Sequence, residues 1–237
     1  MLFREVLSEV EGRKPLKDKK ISRSLLMIYD LLYKKFGPRY WWPGETKFEV
    51  IIGAILTQNT AWVNVEKAVR NLKKEKALSV SKLCRMPEKK LAGLIRPSGY
   101  YNVKANRIKI FLKFLNTRYN SSINRMFKTD LCKLREELLA LKGIGQETAD
   151  SILLYAGNKP IFVIDAYTKR VFSRHGFVSH DQDVEYREMQ SLFMDNLPED
   201  VRLFNEFHAL IVELGKSICK SKKPLCGICP MRSIRRK

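Results

Sequence analysis

Apolar positions recur along this chain at helical spacing from Ser22 almost to its end. Leu25, Leu26, Ile28, Tyr29, Leu31, Leu32 and Phe36 mark one face of an amphipathic helix that stops before Gly37-Pro38. Phe48–Leu56 is apolar almost all round, which predicts a buried helix. Pro87–Ile95 predicts a short helix, and the segment from Lys104 to Lys113 a basic one. Residues 120–130 read as a polar break before a helix over Leu131–Leu141. In the helix after that, Ala149, Ile152, Leu153 and Ala156 fall at i, i+3, i+4 and i+7, with Gln146, Glu147 and Asp150 on the other side and Gly157 as the C-terminal cap. Ile161–Ile164 is too short an apolar run for a helix. Ala166–Arg174 reads as helix, and Val184–Leu214 largely so, with an interruption at Leu197-Pro198. Strand signals are scarce, so the expected fold class is all-α.

The 237 residues, 45% hydrophobic, can bury one substantial core or two modest ones. No apolar run approaches the length that spans a bilayer, and the first residues lack an uninterrupted signal-peptide core, so a soluble cytoplasmic protein is expected. Charge narrows the partners. Lys+Arg 45 against Asp+Glu 25 gives a formal net charge of +20, which attracts polyanions through salt-dependent, sequence-independent contacts. Nucleic acid is the economical partner, ahead of an anionic membrane surface. Residues 1–20, ending in Lys14-Pro15-Leu16-Lys17-Asp18-Lys19-Lys20, read as a loose basic arm. Five cysteines, three of them near the C-terminus, argue against a disulfide framework and bring metal or cluster ligation into view.

Three stretches carry candidate chemistry. Leu141-Lys142-Gly143-Ile144-Gly145 joins two helices, and a Gly-x-Gly turn permits positive φ and close approach of another backbone. It is either an ordinary helix corner or a grip for a phosphate oxygen, offered by N–H groups of the following first turn. Asp165, twenty residues after Gly145 (165 − 145), starts the next helix as an N-cap or as a reactive acid. Tyr40-Trp41-Trp42-Pro43 holds two of the three tryptophans, which either plug a seam between domains or form an aromatic wall.

The sequence of helix, glycine hairpin, helix, apolar run and acid resembles the helix-hairpin-helix DNA glycosylase superfamily. Trp41-Trp42-Pro43, Lys47-Phe48-Glu49, Leu56-Thr57-Gln58-Asn59-Thr60, Arg96-Pro97-Ser98-Gly99-Tyr100-Tyr101-Asn102 with Lys104-Ala105, and Lys142-Gly143-Ile144-Gly145 with Ala149-Asp150 are similar to the 3-methyladenine DNA glycosylase III group of its endonuclease III-like branch. The resemblance runs from about Trp41 to Leu214. It implies two helical domains with the active site in the cleft between them: a six-helix barrel over 45–156, and a second domain from 1–44 and 157–237. It further implies a monomeric, nucleoid-associated N-glycosylase that removes alkylated purines from damaged double-stranded DNA by hydrolysis.

Roles follow residue by residue. Asp165 would be catalytic. Trp41, Trp42, Pro43, Trp62 and Glu147 would form the base pocket, with an alkylated base stacked between Trp62 and the Trp41-Trp42-Pro43 wall. Gln58 would fill the gap left in the duplex, with Asn59 beside it, and Lys142 and the backbone of Gly143, Ile144 and Gly145 would meet a phosphate. Glu147 stands where bifunctional relatives carry a nucleophilic lysine; a carboxylate cannot form their imine, so base removal without efficient strand cleavage is expected. Cys219, Cys226 and Cys229 match the spacing of a [4Fe–4S] site whose fourth cysteine is replaced by Arg235; zinc with another ligand and a decayed site are the alternatives. The alternatives in function are a glycosylase of this fold for another damaged or mismatched base, and a helix-hairpin-helix DNA-binding protein without catalysis.

Overall fold

The computed structural model describes residues 16–178 and 185–234. Most of the expected basic arm, Val184 and Arg235 lie outside them. The regular elements of the described residues are all helices, with no strand among them. The chain divides into two compact units, one formed by Trp42–Lys159 and the other by Met1–Trp41 with Pro160–Lys237.

In the first segment of the second unit, α1 (Lys19–Phe36) starts where Asp18 accepts from the N–H groups of Lys20 and Ile21. It stops at Gly37, whose φ of 67° only glycine adopts at little cost.

The Trp42–Lys159 unit contains α2 (Lys47–Leu56), α3 (Trp62–Lys74), α4 (Val80–Arg85), α5 (Glu88–Leu94), α6 (Tyr101–Tyr119), α7 (Ile123–Lys128), α8 (Leu131–Leu139) and α9 (Gln146–Ser151). Every residue of α2 from Phe48 to Leu56 is buried, as its all-round apolar pattern requires. α7 is a helix where composition suggested only a polar break. Ser122 caps it by accepting from Arg125 N–H at 3.2 Å, and the buried Met126 is its anchor. One apolar residue is too weak a periodic signal to read as a helix.

α9 continues into a π-helical turn over Ile152–Ala156. Gly157 closes it by donating to Ile152 O at 3.0 Å, with an ordinary φ of −90°, while Asn158 takes the left-handed conformation at φ 50°. The glycine is required for space: a Cβ there would lie 2.7 Å from Leu153 O and 2.8 Å from the Phe127 ring. Asp150 was expected on the polar side with Gln146 and Glu147 but is wholly buried. Arg135 of α8 grips it with Nε–Oδ1 at 2.6 Å and Nη2–Oδ2 at 3.1 Å, a bidentate pair that ties the two hairpin helices together.

Two cations of the basic segment are also turned inward. Lys104 is 1% exposed, its Nζ donating to Leu56 O at 2.9 Å and Ser98 O at 2.6 Å. Lys109 donates to the carbonyls of Leu83 and Cys84, closing the end of α4. These lysines serve the orphan carbonyls of helix ends, so neither presents a phosphate-binding ammonium.

The rest of the second unit runs from buried Ile161–Ile164 into α10 (Ala166–Arg174), α11 (Tyr186–Met194) and α12 (Val201–Ser217). Its core is aromatic. Phe162 stacks on Phe193 at 3.9 Å and 4°, and meets Phe204 and Phe207 edge to face.

Candidate active site and nucleic-acid interface

Asp165 is the N-cap of α10 and is 9% exposed. Its Oδ1 accepts from Thr168 N–H at 2.7 Å and from the Thr168 hydroxyl at 2.9 Å, so one residue three positions on fixes the carboxylate twice. Its Oδ2 faces His208 Nε2 of α12 at 3.7 Å. Burial pulls the His208 pKa below its ordinary value, and the charge of Asp165 opposes that shift. Sequence reasoning missed both partners. Thr168 could have been found as a hydroxyl at N3 opposite an N-cap acid, and His208 as a lone imidazole within the apolar run Phe207-His208-Ala209-Leu210.

The far end of α10 holds the cysteine segment. Arg170 donates to the carbonyls of Cys219 and Gly215, both at 2.9 Å. Arg174 donates to the carbonyls of Lys220 and Ser221, both at 2.7 Å, and reaches Cys219 Sγ at 3.5 Å. Cys219 and Cys229 are buried and Cys226 is exposed. Burial pushes the Cys229 thiol above its ordinary range, Met231 N–H opposes this, and the neighbouring Cys219 and Cys226 raise it further. Among the described residues no three of His, Cys, Asp or Glu are gathered closely enough to hold a metal ion.

In the Trp42–Lys159 unit the hairpin closes around Gln58. Its amide donates to Gly143 O and Thr148 Oγ1, both at 2.9 Å, and its Oε1 accepts from Arg107. Arg107 lies beneath the turn: Gly143 has φ 90°, and a Cβ there would collide with the Arg107 side chain. Gly145, by contrast, has open space where a Cβ would stand. Ile144 is buried and spends its N–H on Leu141 O at 3.0 Å, so the backbone donor expected of it is already taken by the turn. Lys142, Asn59 and Glu147 are exposed, Asn59 in the left-handed conformation at φ 52°.

The aromatic residues are not arranged as expected. Trp42 and Trp62 are in edge-to-face contact, 4.9 Å apart at 89°, so no base fits between these two rings. Trp42 is held there by Tyr155 at 5.2 Å and by Gly53, where a Cβ would stand 3.1 Å from the indole. Trp62 donates from Nε1 to Glu66 at 2.9 Å. Beside this pair lies a recess of about 200 Å³ lined by Trp42, Pro43 and Trp62 together with Glu49, Glu66 and Arg70. Glu147 does not line it, and Trp41, half-buried, belongs to the other unit.

Residues 52–199 match the family model of the HhH-GPD superfamily base excision DNA repair proteins. A Methanocaldococcus jannaschii protein assigned to the DNA repair glycosylases is 49% identical over 207 residues, covering 86% of this chain and 92% of its own length. Endonuclease III of Thermotoga maritima is 32% identical over 186 residues, covering 78% and 81%. Among solved structures, the Helicobacter pylori 3-methyladenine DNA glycosylase bound to 1,N6-ethenoadenine superposes with TM-score 0.66 at 32% identity, over 83% of this chain and 96% of that one. A non-covalent endonuclease III–DNA complex superposes with TM-score 0.77 at 25% identity, over 91% and 95%. The chain belongs to the HhH-GPD superfamily and is a base-excision repair DNA glycosylase.

Proposed function

We propose that this glycosylase removes alkylated purines of the 3-methyladenine type from duplex DNA by hydrolysis and leaves an abasic site uncut. The observation that carries the reading is Asp165, a buried carboxylate with Oδ1 pinned by Thr168 and Oδ2 outside that grip. Breaking the glycosidic bond builds positive charge on the sugar, and a fixed carboxylate opposes that charge and orients a water. No lysine stands at the imine-forming position of the hairpin; Glu147 does.

The lesion class rests on the likeness to the Helicobacter pylori enzyme and on the aromatic recess, whose acids Glu49 and Glu66 are matched by Arg70 and Lys73, with Lys73 2.8 Å from Glu49. An N-alkylated purine is cationic, its bond already weakened, and it is drawn to an aromatic face. Gln58 and Asn59 would enter the space the base vacates, Gln58 after releasing the hairpin. Lys142, Gly143 and Gly145 would meet the phosphates. Cys219, Cys226 and Cys229 would hold a [4Fe–4S] cluster that stiffens the loop bearing Lys220, Lys222 and Lys223; such a cluster supplies framework and charge, and no chemical step. A brown preparation containing iron and sulfide checks that part.

Chromatography of bases released from methylated DNA, with strand nicking followed before and after alkali, tests the whole. Release of 3-methyladenine with alkali-dependent nicks is expected. No release from methylated DNA alongside release from a duplex carrying an oxidised or mismatched base overturns the lesion assignment, and nicking without alkali overturns the monofunctional one.

A further inference from the structure

His208 is buried on α12 among apolar neighbours. Its neighbours on that helix, Phe204, Phe207 and Ile211, are fully buried, and the Phe162 ring stands edge-on to the imidazole at 6.4 Å and 82°. Burying an imidazole costs free energy unless its nitrogens find polar partners. Here one nitrogen is aimed at Asp165: Nε2 lies 3.7 Å from Oδ2, the oxygen Thr168 does not hold. That separation is too long for a formed hydrogen bond. Hydrogen bonds that serve catalysis are often long in the unliganded protein and tighten as the reacting complex forms.

We propose that His208 is a positioning residue for Asp165, closing from Nε2 onto Oδ2 as positive charge develops on the sugar. With Thr168 fixing Oδ1, the carboxylate is then held at both oxygens, stays ionised and cannot rotate away. The imidazole that serves is neutral and carries its proton on Nε2. Burial favours that neutral form. The assignment rests on Asp165 being the catalytic acid.

The test uses the full chain on methylated duplex DNA under single-turnover conditions, with affinity for a duplex containing a tetrahydrofuran abasic analogue measured in parallel. His208→Ala is expected to slow base release about 10- to 100-fold while affinity stays within about twofold. His208→Gln, whose side-chain amide nitrogen falls where Nε2 stands and can donate to Oδ2, is expected to recover most of the rate, and His208→Leu, apolar and of similar bulk, none of it. Rescue by the amide alone is a signature packing does not produce. If Gln and Leu variants are equally slow, or both as fast as wild type, His208 has no positioning role. Should His208→Ala fail to fold, the Gln and Leu pair still decides. Asp165→Asn separates the two levels. An inactive Asp165→Asn protein beside a fully active His208→Leu protein removes only the role of His208, whereas an active Asp165→Asn protein removes the catalytic acid itself.

Discussion

Asp150 and Asp165 lie fifteen residues apart (165 − 150), both buried, one in each unit, and their surroundings put them to opposite uses. Asp150 is 0% exposed, and Arg135 takes both of its oxygens in one bidentate pair. A carboxylate so matched is structural: it has satisfied neighbours and nothing left to offer a substrate. Asp165 spends only Oδ1 on its own helix, while Oδ2 faces an imidazole at a distance too long to be a bond. Burial alone does not set a reactive acid apart from a structural one; the proposed role of Asp165 rests on an oxygen that its own helix does not hold.

The largest expected effect breaks the comparison on the side of rate. Asp165→Asn keeps an N-cap acceptor for Thr168, so unfolding free energy is expected to change by less than about 1 kcal/mol. Single-turnover base release is expected to fall about 10²- to 10⁴-fold. Urea titrations and excision assays on one preparation check both. A large loss of stability alongside the loss of rate would make Asp165 another structural acid.

The counterpart is Asp150→Ala. It leaves the Arg135 guanidinium, 16% exposed, without its carboxylate, and the expected cost is about 3–5 kcal/mol of stability. Excision by the folded fraction is expected to stay near wild type, as judged by rate normalised to the native population at low temperature. A variant of undiminished stability would show that the pair contributes nothing to tying α8 to α9.

Helical periodicity made α1, α2 and the hairpin helices legible, because each buries a face whose spacing is written in one stretch of sequence. Asp165 was legible as a helix-starting acid for the same reason, since an N-cap is a local signal. Asp150 was not. Its partner Arg135 lies on another helix, and a helical wheel of α9 alone places a charged residue on the solvent side. Lys104 escaped likewise, as its carbonyl partners Leu56 and Ser98 belong to two other segments. The perpendicular setting of Trp42 and Trp62 depends on Gly53 and Tyr155, brought together only by packing, so composition could name the aromatic residues but not their angle.

Lys104 extends the comparison to a buried charge with no carboxylate against it among the described residues. Its ammonium is satisfied by two carbonyls, one just before the loop bearing Gln58 and the other just before Gly99 and Tyr100, both at positive φ. Carbonyl dipoles compensate a buried cation less completely than an anion does. Burial, with the charge of Arg107 added, lowers the Lys104 pKa from 10.5 to about 8. In the unfolded chain the proton is held up to about 10.5, so between about pH 8 and 10.5 the unfolded state binds more protons than the folded one. The stability tied to this residue therefore rises with pH across that window and is flat below it. In urea titrations at successive pH values, the unfolding free energy of wild type minus that of Lys104→Met is expected to grow in favour of wild type from about pH 8 upward. A flat difference through the window would mean that the two carbonyls stabilise the ammonium as well as water does, and Lys104 would then join Asp150 as a fully compensated charge rather than standing between it and Asp165.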